Sequence, residues 1–367
     1  MSAPAYIRTL DRTLKRANIS RVQIREALLE SQARDVLTSW LDAPKPKLRS
    51  VSRGHGADFV VEHERTRLVV ECKAVASSAA LTTAIAQVKA YAEDVHPTAV
   101  PVVAVPFMGE VGKRLCERAD VSWFDVSGNA HIVAPGLRIL IEGKPNKFVR
   151  RGRPSTAFAP KSARIARHLL IDPRRSFRQQ ELARETGLDD GFTSRIVRRL
   201  EGDELLVRAK DGTISVRNPD LLLDDWAAAY RFDKHDILRG HISARSSEEL
   251  VGTTTKTFAR AKVEHAVTGL AAARLLTEFS AFRLVTIFVA RRPGASTLKE
   301  LGFREEPKGA NVWLVVPDDE GVFDGVGEVN GINVVHPVQA FVDLAAQPER
   351  AKDAAAELRA QRLRWTA

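Results

Sequence analysis

Three consecutive pieces decide how this chain is read: Arg178-Gln-Gln-Glu-Leu-Ala-Arg-Glu-Thr-Gly-Leu188, Asp189-Asp-Gly-Phe-Thr-Ser-Arg-Ile-Val-Arg-Arg-Leu200 and Leu205-Leu-Val-Arg-Ala-Lys-Asp-Gly-Thr-Ile-Ser-Val216. The first has helical composition and ends at Gly187, a residue that accepts the left-handed backbone between two helices. The second opens on Asp189 or Asp190 as an N-cap and repeats Phe192, Ile196 and Leu200 at helical spacing, which predicts one buried face. The opposite face then carries Thr193, Ser194, Arg195, Arg198 and Arg199, donors of the kind that reach base edges and phosphates in a major groove. In the third piece apolar and polar residues alternate around Asp211-Gly212, a hairpin signal. Helix, helix and hairpin together predict a winged helix-turn-helix from about Pro160 to Asn218.

The surrounding charge agrees with that reading. The chain of 367 residues has a formal net charge of +10. Five Lys or Arg and no acid lie between Gly143 and Pro160, and thirteen basic against nine acidic side chains follow from Lys161 to Asn218. Nine of the ten excess charges therefore sit in and just before the helix-turn-helix pattern, as polyanion binding by phosphate neutralisation requires. A basic linker beside a protein-binding winged helix is the alternative. Length predicts two or three domains. Met1 to Asn18 is interrupted by charges and does not read as a signal peptide, and no apolar run reaches membrane-spanning length. Cys72 and Cys116 lie in apolar patterns, without disulfide or zinc-ligand spacing, so a reducing cytoplasm is expected.

Upstream, an amphipathic helix is predicted over Ser20 to Leu41, stopped by Pro44 and Pro46. Strands follow at Lys47 to Val51, Asp58 to His63 and Arg67 to Val75, then a helix from Ala79 to Asp94. A valine-rich strand at Ala99 to Phe107, a helix at Glu110 to Arg118, a strand at Val121 to Val126 and a hairpin over Ala130 to Ile141 complete the domain. In that order Asp58 and Glu71-Cys72-Lys73 stand out. Residues two apart on a strand share a face, so Glu71 and Lys73 project together while Cys72 points the other way. Antiparallel pairing across the Glu64 to Arg67 turn brings Asp58 beside Glu71. Two carboxylates can hold magnesium or manganese and the lysine can position a water, an arrangement able to cleave phosphodiesters. Gln87 and Tyr91 lie one turn apart on the next helix, where they can orient the lysine or a phosphate.

These residues and this order resemble the PD-(D/E)xK nuclease-like fold over about residues 20 to 142. Asp58 stands as the first acid, Glu71-Cys72-Lys73 as its E-x-K element, and Gln87 to Tyr91 as the Q-x-x-x-Y of the RecB-like branch; Gly56-Ala57-Asp58 matches the looser, Gly-containing form. Glu26 or Glu30 is then the additional acid. The resemblance implies a catalytic set of Asp58, Glu71, Lys73, Gln87 and Tyr91 with a metal on Asp58 and Glu71. A surface salt-bridge cluster on another α/β domain, or the same fold used only for binding or dimerisation, accounts for the same residues. Asp125, Asn129 and His131 are read as turn chemistry rather than metal ligands.

In the linker, Arg150-Arg-Gly-Arg-Pro154 contains the core of an AT-hook, so Arg151 and Arg153 are candidates for the minor groove; an ordinary basic linker is the alternative. Past the wing, Pro219 to Phe232 reads as a bridging helix with Leu222, Trp226 and Tyr230 on one face. From 233 to 367 strands and helices alternate: a strand at His235 to Ser243, a helix at His265 to Leu276, strands at Arg283 to Ala290, Asn311 to Val316 and Gly331 to Val335, and helices from Pro337 to Ala346 and Glu349 to Arg364. No Gly-rich phosphate loop and no paired acids at strand ends occur there; His336 and Asp343 could suggest chemistry, but His336 opening a helix before Pro337 reads as structural. With the winged helix, the segments Ala266 to Ala273, Gly309 to Val315, Val335 to Leu344 and Pro348-Glu-Arg350 resemble AbiEi-type antitoxins of type IV toxin-antitoxin systems over about 160 to 367. That resemblance implies a transcriptional regulator whose last domain is a catalytically empty, nucleotidyltransferase-like α/β unit.

The expected architecture is α/β multidomain: a nuclease-like domain over 1 to 142, a basic linker over 143 to 160, a winged helix with its bridging helix over 161 to 232, and the AbiEi-like domain over 233 to 367. Ser194, Arg195 and Arg198 are expected to read bases in double-stranded DNA. Arg199 and Lys161 are expected on phosphates, Arg208 and Lys210 of the wing on the flanking backbone. No cofactor is needed for DNA binding. A homodimer and a cognate toxin or other protein partner are the further expectations; a metal-dependent endonuclease, or an antitoxin or scaffold acting by protein contact, are the rival functions.

Overall fold

The computed structural model describes residues 21–41, 46–51, 56–148, 157–277, 282–306, 308–345, 347 and 351–365. Arg151, Arg153 and Pro348-Glu-Arg350 lie outside them. The chain is mixed α/β and divides into two compact units, Met1–Ser155 and Thr156–Ala367, with the boundary inside the basic linker.

The first unit is built on one seven-stranded sheet in sequential order. Its strands are β1 (Lys47–Ser50), β2 (Phe59–His63), β3 (Thr66–Cys72), β4 (Ala99–Val105), β5 (Ser122–Asp125), β6 (Ala130–Ala134) and β7 (Leu137–Ile141). The β1–β2–β3 meander is antiparallel, β3–β4 and β4–β5 are parallel, and β6 and β7 return antiparallel. Parallel neighbours need crossovers, which α2 (Ser78–Val95) and α3 (Glu110–Arg118) supply. Side-chain alternation makes the sheet two-faced. Leu68, Val70 and Cys72 pack with Leu29, Ala33 and Leu37 of α1 (Arg21–Trp40) and with Leu41 just past its end, while Val69, Val103 and Val105 pack with Leu81, Ala84, Ile85 and Val88 of α2. Ser77 starts α2 by accepting a hydrogen bond from the Ala80 amide at 3.2 Å.

In the second unit, α4 (Pro160–Ile171), α5 (Gln179–Glu185) and α6 (Asp190–Gly202) precede the hairpin β8 (Leu206–Arg208) and β9 (Ile214–Val216), and Phe177 adds a third rung opposite Ile214. The bridging helix α7 (Pro219–Ala229) buries Leu222, Leu223 and Trp226. A second seven-stranded sheet follows, ordered β13-β10-β14-β12-β11-β16-β15. Its strands are β10 (Asp236–His241), β11 (His265–Thr268), β12 (Val285–Val289), β13 (Arg304–Glu305), β14 (Val312–Val316), β15 (Gly327–Val329) and β16 (Ile332–Val334). Helices α8 (Ser247–Arg260), α9 (Gly269–Leu276), α10 (Ala295–Glu300), α11 (Pro337–Leu344) and α12 (Ala351–Arg362) accompany it. Val285 to Val289 is buried throughout, as its unbroken apolar run requires of a central strand.

One expectation is corrected and one element is new. His265 to Leu276, read as one helix, is a strand to Thr268 and a helix from Gly269, whose φ of +62° turns the chain between them. α8 was not expected, because Thr253-Thr-Thr-Lys-Thr257 favours strand; in the folded chain Thr254 and Thr255 satisfy their hydroxyls on the Leu250 and Val251 carbonyls at 2.7 and 2.9 Å, which makes helix tolerable.

Candidate functional site

The surface of α6 is prepared by its start. Gly187 takes φ +65° between α5 and α6, and the Asp189 carboxylate accepts from the Phe192 amide at 2.7 Å. The buried stripe is Thr193, Val197 and Leu200, leaving Arg195, Arg198 and Arg199 exposed. Thr193 is the one member of the expected binding face that the structure removes from it: the residue is fully buried, and its hydroxyl finds no partner among the described residues. The reason is that the buried stripe is anchored by Val197, one residue past Ile196, while Phe192 stays at the rim. There the ring is shared by two cations, with Lys161 Nζ of α4 5.8 Å and the Arg195 guanidinium 5.7 Å from its centroid. Phe192 thus holds Lys161 beside the exposed face of α6.

The other arginines of this face are oriented by short links. Arg198 donates to Ser194 Oγ at 2.9 Å, and Arg199 Nε lies 2.9 Å from Asp203 Oδ2. Arg208 of β8 reaches back to Glu201 Oε1 at 2.8 Å and also donates to the Gly212 carbonyl at 3.3 Å. Lys210 is exposed at the hairpin turn, where Gly212 has φ +84°.

In the first unit, pairing of Phe59 with Val70 puts Asp58 next to Glu71 as the antiparallel register predicts. Asp58 Oδ2 accepts from the Cys72 amide at 2.7 Å, and Lys73 Nζ stands 2.8 Å from Glu71 Oε1. Burial pushes the Glu71 carboxyl above its ordinary range, and the nearby charges of Asp58 and Glu26 push the same way against the Lys73 ammonium. Burial works against the charged Lys73, but its hydrogen bond to Glu71, with Glu26 and Asp58 adding to it, holds the ammonium more firmly protonated. Of the two helix acids considered, Glu26 is the one felt by both Glu71 and Lys73; Glu30 is taken by Arg34 at 2.7 Å. The Cys72 side chain packs on the opposite face, against α1.

Gln87 and Tyr91 are placed differently from each other. Gln87 is exposed. Gly56, at φ +85°, passes so close to α2 that a Cβ there would lie 2.8 Å from the Gln87 carbonyl and 3.4 Å from Tyr91 Cβ. Tyr91 itself lines a cleft of about 400 Å³ with Arg49, Glu62 and Arg67, whose walls do not include Asp58, Glu71 or Lys73. Glu62 is flanked there by Arg67 at 3.0 Å and Arg49 at 3.8 Å. Sequence reasoning passed over both arginines as site residues, because single polar residues on strands carry no distinguishing pattern.

Among the described residues no group of three or more His, Cys, Asp or Glu is arranged to hold a metal. Asp125 serves its turn, accepting from Gly128, Asn129 and Met108 amides at 2.8, 2.9 and 3.0 Å, and His131 is exposed. Likewise His336 caps α11, its Nδ1 accepting from the Val338 amide at 3.3 Å.

A buried polar network that the sequence did not announce links α4, α7 and α11. Arg167 donates through Nε and Nη2 to Gln339 Oε1 at 3.0 and 2.9 Å, and its guanidinium lies 5.1 Å from the Trp226 ring. Gln339 and Tyr230 donate to Asp343 Oδ1 at 2.8 and 2.7 Å, and Thr268 donates to Oδ2 at 2.5 Å. Burial raises the Asp343 carboxyl to about 6 despite those three donors. Asp343 stood out in the sequence beside His336, but nothing there joined it to Gln339, Tyr230, Thr268 or Arg167.

Among the described residues no helix is long and apolar enough to cross a membrane. No curated protein and no solved structure matches the chain. Residues 215–364, from the second hairpin strand through α7, the second sheet and α12, match the family described as "Transcriptional regulator, AbiEi antitoxin, Type IV TA system".

Proposed function

We propose that this chain is a sequence-specific, double-stranded DNA-binding transcriptional regulator of the AbiEi antitoxin kind. In this reading α4 to α6 with β8 and β9 form a winged helix-turn-helix and α6 is its recognition helix. The observation that carries it is the exposed Arg195, Arg198 and Arg199 face, with Lys161 drawn alongside by Phe192. The family match over residues 215–364 supports the regulator class independently of that face. Ser194, Arg195 and Arg198 read bases; Lys161 and Arg199 meet phosphates; Arg208 and Lys210 follow the flanking backbone, and Arg151 and Arg153 reach the minor groove. Such a protein works in the cytoplasm on its operator, without a cofactor, and a homodimer and a cognate toxin are its natural partners. The last domain then has a nucleotidyltransferase-like frame without catalysis, and the first lends a PD-(D/E)xK-like frame to binding or dimerisation. Selection from a random duplex library, followed by footprinting of the selected site, tests the proposal: a single protected site supports it, and protection that ignores sequence overturns it.

One observation favours a second reading, a metal-dependent deoxyribonuclease delivered by the same winged helix. Asp58, Glu71 and Lys73 do converge, with Glu26 in electrostatic reach. Two carboxylates fit a magnesium or manganese ion that keeps waters and takes substrate phosphate oxygens. Asp58 and Glu71 would hold it, and the metal would supply charge neutralisation and an acidified water. Lys73, held by Glu71, would orient that water at the phosphorus. Running the footprinting with either metal present reports site and scission together.

A further inference from the structure

We infer that β7 is a joining edge, along which two copies of this chain pair antiparallel and run their first-unit sheets into one. The two seven-stranded sheets end in four edge strands, and three of these are blunt. β1 is Lys47-Leu-Arg-Ser50, β13 is Arg304-Glu305 alone, and β15 is Gly327-Glu-Val329. Shortness and charged side chains are how sheet edges are kept from pairing with another chain. β7 lacks that protection: Leu137-Arg-Ile-Leu-Ile141 is the longest of the four and holds four aliphatic residues. Among the described residues no strand lies beyond it.

Both faces of this margin are incompletely covered. Leu137, Ile139 and Ile141 pack only partly buried against the core beneath α1. On the other face Leu140 and, beside it on β6, Val133 are each 50% exposed. The segment that follows does not close the edge. Gly143 turns at φ +82°, and the Lys144 and Lys147 amides donate to Asn129 Oδ1 at 2.8 Å and Ser127 Oγ at 3.3 Å, which carries the chain toward the turn between β5 and β6.

The strand's own sequence identifies a second copy as the occupant. A two-fold axis through Leu140, normal to the sheet, keeps each face on its own side and makes the contact self-complementary. Leu140 then meets the partner's Leu140, Ile139 meets the partner's Ile141, and Arg138 stands opposite the partner's Glu142. Arg138 and Glu142 are both exposed and so available for that pairing. Apolar pairs and opposite charges stabilise directly opposed strand residues, whereas like charges there destabilise. Neighbouring registers lose the match: an axis through Ile139 sets Arg138 against a leucine, and one through Arg138 sets two arginines face to face. The inference rests on the dimerisation role proposed for the first unit and names its surface; DNA binding by the second unit does not enter it.

An edge of five residues gives a small interface, so the dimer should be concentration-dependent. Sedimentation velocity of the full chain without DNA, up to roughly 100 μM, should show the mass rising from the 40.5 kDa of one chain toward twice that value. Arg138→Glu and Glu142→Arg each oppose like charges at two symmetric positions and should weaken the dimer about tenfold, while the double variant restores opposite charges and the parent's affinity. Leu140→Lys, which places two cations on the axis, should abolish it. All three positions are exposed, so circular dichroism should stay unchanged. A monomeric parent overturns the edge and the dimerisation role together, and sequence-specific footprinting would still uphold the regulator. A dimer untouched by the single variants and by Leu140→Lys overturns the β7 edge and moves dimerisation to another surface. A double variant as weak as the single ones overturns the pairing of Arg138 with Glu142.

Discussion

The guanidinium of Arg208, on the first strand of the hairpin, stands 2.8 Å from the carboxylate of Glu201 near the end of α6. The pair fastens the proposed wing to the proposed recognition helix and partly neutralises a cation that the DNA-binding account needs. Exposed pairs of this kind contribute about 0.2–1 kcal/mol, so stability is not their main effect. Glu201→Gln is therefore expected to leave folding nearly unchanged while freeing Arg208 for phosphate. The slope of log affinity against log salt on random duplex should steepen by about one unit. A slope equal to that of the parent chain would separate Arg208 from the DNA backbone.

Thr193 gives a prediction opposite to the one its position in the sequence suggests. Its hydroxyl is fully buried and unpartnered, and leaving such a group unsatisfied costs about 1–3 kcal/mol. Thr193→Val keeps the shape and removes the orphan, so the urea midpoint should rise, by an amount equivalent to about 1 kcal/mol. Operator affinity should stay within about twofold, because the residue is on the core side of α6. A large loss of affinity with no gain of stability would return Thr193 to the binding face.

For the first unit, the favoured reading predicts that magnesium or manganese leaves both duplex and single-stranded DNA intact. Scission that disappears in Lys73→Ala would establish the nuclease instead. The same substitution strands Glu71, whose side chain is 9% exposed and whose carboxyl already sits high through burial. Without the ammonium that carboxyl rises further, so the variant should be relatively more stable in acid than at neutral pH, readable from urea unfolding at both.

His336 and Asp343 oppose each other over one pH window. Burial raises the Asp343 carboxyl from 3.8 to about 6, so the folded unit binds its proton more tightly and loses stability as pH rises between those values. Burial lowers His336 from 6.5 to about 4, so the folded unit rejects that proton and gains stability over nearly the same range. Each shift corresponds to about 3 kcal/mol, and they largely cancel. Asp203 and Asp324 lean the way of Asp343, and His235 leans with His336. His336→Asn keeps a helix cap without the titration, so its urea midpoint should fall from about pH 4 to pH 6.5 while the parent chain stays flatter. Parallel profiles for the two proteins would remove His336 from the balance.

Legibility followed the range of the interactions. Period-two alternation and turn residues placed β1 to β7 within a few residues, and Gly187, Asp189 and Asp211-Gly212 marked the ends of α6 and the hairpin. Such signals are local. The buried stripe of α6 was misjudged by one position because Phe192, Ile196 and Val197 are all apolar, and only tertiary packing decides which of them turns inward. α8 was missed since threonine propensity is overridden by tertiary burial, here of Val251 and Phe258. The convergence of Asp58, Glu71 and Lys73 was readable because antiparallel register is arithmetic once the turn is fixed. The Arg167–Gln339–Asp343 network was not, since it joins residues 172 positions apart with no pattern in either segment.

The central claim is that α6 reads sequence, and Arg195 tests it most directly, being exposed and steadied by the Phe192 ring. With the selected operator and a scrambled duplex at one salt concentration, Arg195→Ala should lose about 1–3 kcal/mol on the operator and relax one base position, with a much smaller loss on scrambled DNA. Equal losses on both duplexes would show that Arg195 serves only as a charge and would contradict the account.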